Sequence, residues 1–250
     1  MLDLHNHTIY SDGYYTPETL IINAIENGIK VIAITDHHKA FFMEHPKYKP
    51  FEDYIDEINY LKEKYRHKIE VRSGIEINLN FNEVIGESRI PYKKLNKLDF
   101  VLLERVDGIA AFEIPKRYNI KLKDIGRIVD RINCKVGLAH ADLLKLSEIY
   151  SNGKGIEYGM NYVISILKKY NLFWEINTRS EHEYFDYIIN NWDNEEVIML
   201  FKKLREENIE ITAGTDTHFI SKDFNIRRLR LANMISSREL VPGREKSVLV

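Results

Sequence analysis

Apolar residues along this chain fall into short runs separated by longer stretches in which they recur every three or four positions, and the two patterns alternate from one end to the other. The short runs predict seven strands: Met1 to His5, Val31 to Thr35, Glu70 to Ile77, Phe100 to Leu103, Lys135 to Ala139, Phe173 to Asn177 and Glu210 to Gly214. Between the first two, Leu20, Ile21, Ala24 and Ile25 share a helical face, with Thr16 as its cap, Pro17 in its first turn and Gly28 at its end. Phe51, Tyr54, Ile55, Ile58 and Leu61 predict a second helix. Leu122, Ile125, Ile128, Val129 and Ile132 predict a third, and Ile156, Met160, Val163, Ile164 and Leu167 a fourth. Val197, Ile198, Phe201 and Leu204 predict a fifth, capped by Asn194 and opened by two glutamates that suit the positive end of the helix dipole.

Strand–helix alternation of this kind closes readily into a barrel. No internal repeat, low-complexity tract or Pro/Gly/Ser-rich linker marks a boundary, so one domain over residues 1–250 is expected. Two segments resist assignment: Asn78 to Asn96, read as a loop with a short hairpin, and the tail from Ser236 onward.

Composition narrows the function classes. With 250 residues and 44% hydrophobic content there is material for a large core, which excludes disorder. Lysine plus arginine total 36 against 38 aspartate plus glutamate, a net charge of −2, so nothing draws the chain as a whole to nucleic acid or an anionic membrane. A phosphate substrate would need a local cationic site. The single cysteine, Cys134, needs no oxidising compartment. Charged residues interrupt every apolar run before membrane-spanning length, and the first residues already carry metal-ligand types rather than a leader pattern. A cytoplasmic protein is the expectation.

The chemistry collects where strands end. His5-Asn6-His7 and Ser11-Asp12-Gly13 follow the first strand, Asp36-His37-His38 the second, and Glu76 lies in the third. His140-Ala141-Asp142 follow the fifth, Asn177-Thr178-Arg179 the sixth, and Asp216-Thr217-His218 the seventh. In a parallel barrel the C-terminal strand ends open onto one face, where an active site sits. Residues two apart on extended backbone share a side, so His5 and His7 can grip one ion, and Asp216 with His218 can repeat the device. Imidazole with carboxylate suits Zn, Mn or Fe, and a carboxylate at Glu76 could bridge two ions. Paired ions activate water against a phosphoryl group, which makes metal-assisted hydrolysis the natural reaction. Singly, each residue has a plainer explanation: Asp36 and Asp142 as helix caps, Glu76 as a solvated charge, a lone histidine as a core or surface group. Five histidines at strand ends, His5, His7, His37, His140 and His218, outweigh those explanations together. His45 and His67 fall in polar loops, His182 precedes a helix, and His38 is the weaker of its pair.

These residues in this order resemble the polymerase-and-histidinol-phosphatase (PHP) superfamily of metal-dependent phosphoesterases. The matching motifs are His5-x-His7 with Ser11-Asp12-Gly13, Ile34-Thr35-Asp36-His37, Glu76, His140 and Asp216-x-His218, spanning most of the chain. The resemblance implies a distorted seven-stranded (β/α) barrel with its active site at the C-terminal strand ends and two or three divalent transition-metal ions. His5, His7, Glu76 and Asp216 would bind one ion, Glu76 and His140 a second, and Asp12, His37 and His218 a third. Asp36, His37, Asp216 and Arg179 are then the candidate catalytic residues, Asp36 as an orienter of the neighbouring histidines. Trp174-Glu175-Ile176-Asn177-Thr178 is similar to a segment that precedes substrate contacts in histidinol-phosphate phosphatases, which makes Arg179 a candidate phosphate clamp and Asn177 a candidate substrate contact.

The fourth strand departs from the family. Where a Ser-Val-His-like segment is usual, this chain reads Asp99 to Val106, and the histidine position falls on Val106. Either Glu104 supplies an oxygen instead or the second ion rests on Glu76, His140 and water; the expectation leans to Glu104 pairing with a nearby cation. The favoured reading is a phosphomonoesterase acting on a small phosphorylated metabolite, histidinol phosphate first. An amidohydrolase-type hydrolase, an oligonucleotide phosphoesterase and a non-catalytic metal-binding module are the alternatives. The first would want a bridging lysine and eight strands, and the second a basic stripe.

Overall fold

Seven parallel strands follow one another around a sheet in chain order in the computed structural model, which describes residues 1–42, 50–79, 92–104, 106 and 121–243. They are β1 (Leu2–Asp3), β2 (Val31–Ile34), β3 (Glu70–Asn78), β4 (Phe100–Glu104), β5 (Lys135–Leu138), β6 (Phe173–Asn177) and β7 (Ile211–Gly214). The ring closes where Leu4 N donates to Ala213 O at 2.9 Å and, further along, Asp216 N to His5 O at 2.9 Å and His7 N to Thr217 O at 3.0 Å. The expected seven-stranded (β/α) barrel is the observed one. Of the expectations above, His45, Arg105, residues 80–91 of the proposed loop and hairpin, and residues 244–250 of the tail lie outside the described residues.

Alternation along the strands builds two cores at once. On β4, Phe100 and Leu102 point into the barrel with Leu4, Ala33, Ala139 and Phe173, while Val101 and Leu103 point outward to the helices. Both faces are buried, which is why these strands read as continuous apolar runs. Phe100 and Phe173 meet edge to face at 5.8 Å inside the barrel. Each large apolar side chain so buried contributes about 1.5–3 kcal/mol. The interior is therefore a packed floor, and the polar residues stand above it.

Helices of eight or more residues pack outside: α1 (Pro17–Glu26), α2 (Phe51–Tyr65), α3 (Leu143–Tyr150), α4 (Ile156–Lys169), α5 (Glu183–Asn190), α6 (Glu195–Glu206) and α7 (Ile226–Ser236). The expected caps are present, since Thr16 accepts from Thr19 N and Asn194 from Glu196 N. Gly28 closes α1 at φ +71°, a left-handed turn that lets Ile29 N reach back to Ala24 O.

The third predicted helix divides into a 3₁₀ turn, Leu122–Asp124, and a single α-turn, Gly126–Val129, although all five of its apolar residues are buried. Tyr170 packs so close to Gly126 that its hydroxyl lies 2.1 Å from where a Cβ would stand. The helices α3 and α7 are not among the five predicted; α3 buries Leu143, Leu144 and Leu146, and α7 only Leu229, Ala232 and Ile235 among arginines. Among the described residues no helix is long and apolar enough to cross a membrane.

β1 is shorter than expected, and beyond Asp3 side-chain bonds join the backbone ones that hold the chain. Asn6 N donates to Thr35 Oγ1 at 3.0 Å, and Asn6 Nδ2 to Ala33 O at 3.2 Å. Asp3, fully buried, accepts from Thr215 N at 2.9 Å and Thr215 Oγ1 at 2.8 Å, which ties the first strand to the last. Asp3→Ala leaves Thr215 N without its acceptor and Thr215 Oγ1 with only Asn6 Oδ1 and Thr217 Oγ1, and is expected to destabilise the chelator-stripped protein by about 1–3 kcal/mol, with Asp3→Asn costing less, as read from urea unfolding. Equal losses for the two variants would show that the seam does not depend on those bonds.

Candidate metal centre

Each functional side chain is delivered by backbone leaving the end of a strand. His5 and His7 come from the stretch after β1, His37 from beyond β2, and Glu76 from β3 itself. His140 follows β5; Asp216 and His218 follow β7. His140 and Asp216 sit at φ +35° and +52°, the left-handed region that side chains other than glycine, asparagine or aspartate seldom enter. The three asparagines that share this conformation do so at helix ends or in turns. Two of the candidate ligands thus leave their strands through left-handed turns.

Glu76 is the hub. Its Oε1 lies 2.8 Å from His140 Nε2; its Oε2 lies 3.1 Å from His37 Nδ1, 3.3 Å from His7 Nε2 and 3.5 Å from His5 Nε2. Asp216 Oδ1 stands 3.1 Å from His7 Nε2 and 3.6 Å from His5 Nε2. Asp12 completes the far side, 3.3 Å from His218 Nε2, 3.4 Å from His37 Nε2 and 3.5 Å from His7 Nδ1.

Five groups of described residues have ligand atoms within 4.8 Å of one another: His5, His7 and Asp216; His5, Glu76 and His140; His7, Asp12, His37 and His218; His140, His182 and Asp216; and His37, Glu76 and Glu104. Tetrahedral ligands at ~2.1 Å from an ion lie ~3.4 Å apart, which is the spacing found here. His7 and His140 each also bury an Nδ1 without a hydrogen-bond partner. The residues fit divalent ions.

The electrostatics agree. Burial disfavours the charged form of His5, yet the carboxylates of Glu175, Glu76 and Asp216 hold its pKa well above the ordinary imidazole value. Burial likewise opposes ionisation of Glu76 and Asp216, but the surrounding histidines hold both well below the usual carboxylate range. His7, His37, His140 and His218 are raised in the same way against their burial. Without an ion, protons balance the buried carboxylates.

The structure brings all eight sequence-named ligands together and places the other named residues beside them. Asp36, fully buried, accepts from Thr8 N at 2.8 Å, Thr8 Oγ1 at 2.7 Å and Ser11 Oγ at 2.5 Å, so its contacts are with the loop that carries Asp12 rather than with the ligands. Asn177 accepts from Arg179 N at 3.0 Å and buries an unpartnered Nδ2. Arg179 Nη1 lies 3.4 Å from Asp216 Oδ2 and 3.0 Å from His218 Nδ1, with Glu181 at 3.1 Å from Nη2. His38 is a core histidine: Asn78 N donates to it, and burial lowers its pKa to about 3.

Two residues escaped the sequence reading. Glu175 accepts from His5 Nδ1 at 2.8 Å and from His140 N at 2.9 Å, so one carboxylate orients two candidate ligands. A Cβ on residue 214 would stand 2.2 Å from Glu175 Oε1, so only glycine there leaves room for the carboxylate. Its signal was present, a lone glutamate inside the buried run Phe173-Trp174-Glu175-Ile176, because a buried charge is costly without a partner. His182, set aside as a residue before a helix, stacks on His140 at 4.4 Å and places Nε2 3.1 Å from Asp216 Oδ2. Its spacing in the sequence carried no signal.

A model of the PHP domain matches residues 3–219. The histidinol-phosphatase of Lactococcus lactis subsp. lactis strain IL1403 is 25% identical over 248 residues, 89% of this chain and 86% of that protein. The crystal structure of histidinol phosphate phosphatase from the same strain, complexed with zinc, L-histidinol and phosphate, superposes with a TM-score of 0.61 at 18% identity, covering 96% of this chain and 94% of that one. A segment of 35 residues is 57% identical to the 5'-3' exoribonuclease Rnm of Salmonella typhimurium strain LT2, covering 14% of this chain and 12% of that protein.

Because ligand imidazoles must be neutral to bind and their pKa values are raised, loading the stripped protein with metal is expected to expel protons. Affinity should therefore tighten as pH rises from about 6 to 8. Titration calorimetry in buffers of different ionisation enthalpy checks this; identical heats in every buffer would contradict it.

Proposed function

The chain belongs to the PHP domain family and is a metal-dependent phosphoesterase, and on that premise we propose that it hydrolyses a phosphomonoester on a small metabolite, with histidinol phosphate as the named candidate. The observation that carries the reading is a chain of ligand groups linked through His5 and His7, with a guanidinium on their rim. His5, His7 and Asp216 would hold one ion, Glu76 and His140 with His5 a second, and Asp12, His37 and His218 with His7 a third. Bound there, Zn, Mn or Fe would activate a water and neutralise charge developing on the phosphoryl group.

The chain's own residues do the rest. Glu175 fixes His5 and the backbone of His140, so their ring nitrogens meet the ions without reorganising. Asp36 holds Thr8 and Ser11 and so sets the loop that presents Asp12. Arg179 approaches from the end of β6, where phosphoryl oxygens would compete with Asp216 and Glu181 for its guanidinium. Arg228 Nε donates to Thr178 O at 2.7 Å and steadies that segment. The single domain expected over residues 1–250 is part of this proposal.

An oligonucleotide phosphoesterase is the second reading, favoured by the 35-residue likeness to an exoribonuclease. A reconstituted enzyme assayed against histidinol phosphate, other phosphorylated metabolites and short oligonucleotides separates the two. Turnover of oligonucleotides alone would replace the proposed substrate class. Arg179→Ala is expected to raise KM about ten- to a hundredfold, the loss of one charge-assisted hydrogen bond of ~1.5–3 kcal/mol, with a smaller change in kcat. Wild-type KM and kcat in that variant would remove Arg179 from the phosphate site.

A further inference from the structure

β4 carries a ligand position that the histidine-rich motifs do not reveal. Phe100 and Leu102 face the barrel interior, so strict alternation turns Glu104 to the same side, one layer higher and at the mouth. The register places it beside β3, with Leu102 paired to Glu76 and Glu104 to Asn78, and Leu79 N donates to Glu104 O at 3.2 Å. A carboxylate oxygen of Glu104 lies within 4.8 Å of the ligand atoms of both His37 and Glu76. The side chain is 7% exposed.

Val106 takes the opposite course. It is buried in the outer hydrophobic cluster with Val101 and Leu103, away from the barrel interior. The position that sequence alignment assigns to a ligand therefore belongs to the packing layer, and the residue two places earlier holds the inward place.

We propose that Glu104 would be an oxygen ligand to the ion that Glu76 would hold, and that this second carboxylate would make that position favour Mn(II) or Fe(II) over Zn(II). Two carboxylates offset the charge of a divalent ion, and replacing imidazole nitrogen by carboxylate oxygen hardens the donor set. The inference deepens the phosphoesterase reading and rests on it only for the presence of ions.

The test strips the full chain with chelator, reloads it with Mn(II) or Zn(II), and counts bound ions by elemental analysis after gel filtration. Glu104→Gln should hold one ion fewer per chain than wild type, or bind its weakest ion at least tenfold less tightly. The spin-coupled dimanganese resonance signal should give way to a mononuclear one. Glu104→His should keep the wild-type count but shift preference from Mn(II) towards Zn(II). An unchanged ion count, affinity and resonance signal in Glu104→Gln would overturn the proposal, as would unchanged selectivity in Glu104→His. Urea unfolding of the stripped variants shows that each is folded, and either variant alone is decisive if the other is not. Loss of an ion in Glu104→Gln, in a wild type that hydrolyses no phosphomonoester, would sink the substrate reading and leave this one standing.

Discussion

A carboxylate buried in the middle of a barrel sets the terms for this molecule. Glu76 is 1% exposed, and four imidazoles stand within 3.5 Å of its two oxygens. Leaving such a charge in a low-dielectric interior without compensation would cost several kcal/mol. The compensation is distributed over groups that begin on β1, β2 and β5, so the strands must keep their relative heights for the charge to be tolerated. Protons and metal ions are alternative ways of meeting the same demand. Holding the donors in place by buried contacts spares reorganisation when charge develops on a substrate.

The floor beneath it has the opposite chemistry. Leu4, Ala33, Phe100, Leu102, Ala139 and Phe173 fill the barrel below the polar layer. Gly137 makes that packing feasible, because a Cβ there would stand 2.1 Å from the Phe173 ring. A dry floor keeps water from reaching the hub from below, so solvent meets the ligands at the mouth, where Asp12 is the exposed member of the set.

Much of this was legible in the sequence, for physical reasons. Strands with both faces buried announce themselves as apolar runs, and motifs of the His-x-His and Asp-x-His kind stand out against them. What could not be read depends on direction rather than identity. The family resemblance points to Val106, but β4 ends at Glu104, so the alternation that turns Phe100, Leu102 and Glu104 inward does not carry on to Val106. Asp36 has the residue type of a ligand but spends its oxygens on Thr8 and Ser11. His182 comes to Asp216 through the turn before α5, a path with no periodic trace. The α7 helix buries only Leu229, Ala232 and Ile235 among arginines, a face easily missed.

The seam between β1 and β7 has a consequence for how the protein is made. Asp3 bonds Thr215 across 212 residues, and His5 meets Asp216 across a similar span. Chain emerges from the ribosome at ~5–20 residues per second, so the first histidines wait on the order of ten to forty seconds for their aspartate. During that interval the candidate ligand sets are incomplete. Only the finished fold presents the whole donor set, so its geometry and donor types, rather than the order of synthesis, would decide which ion is kept.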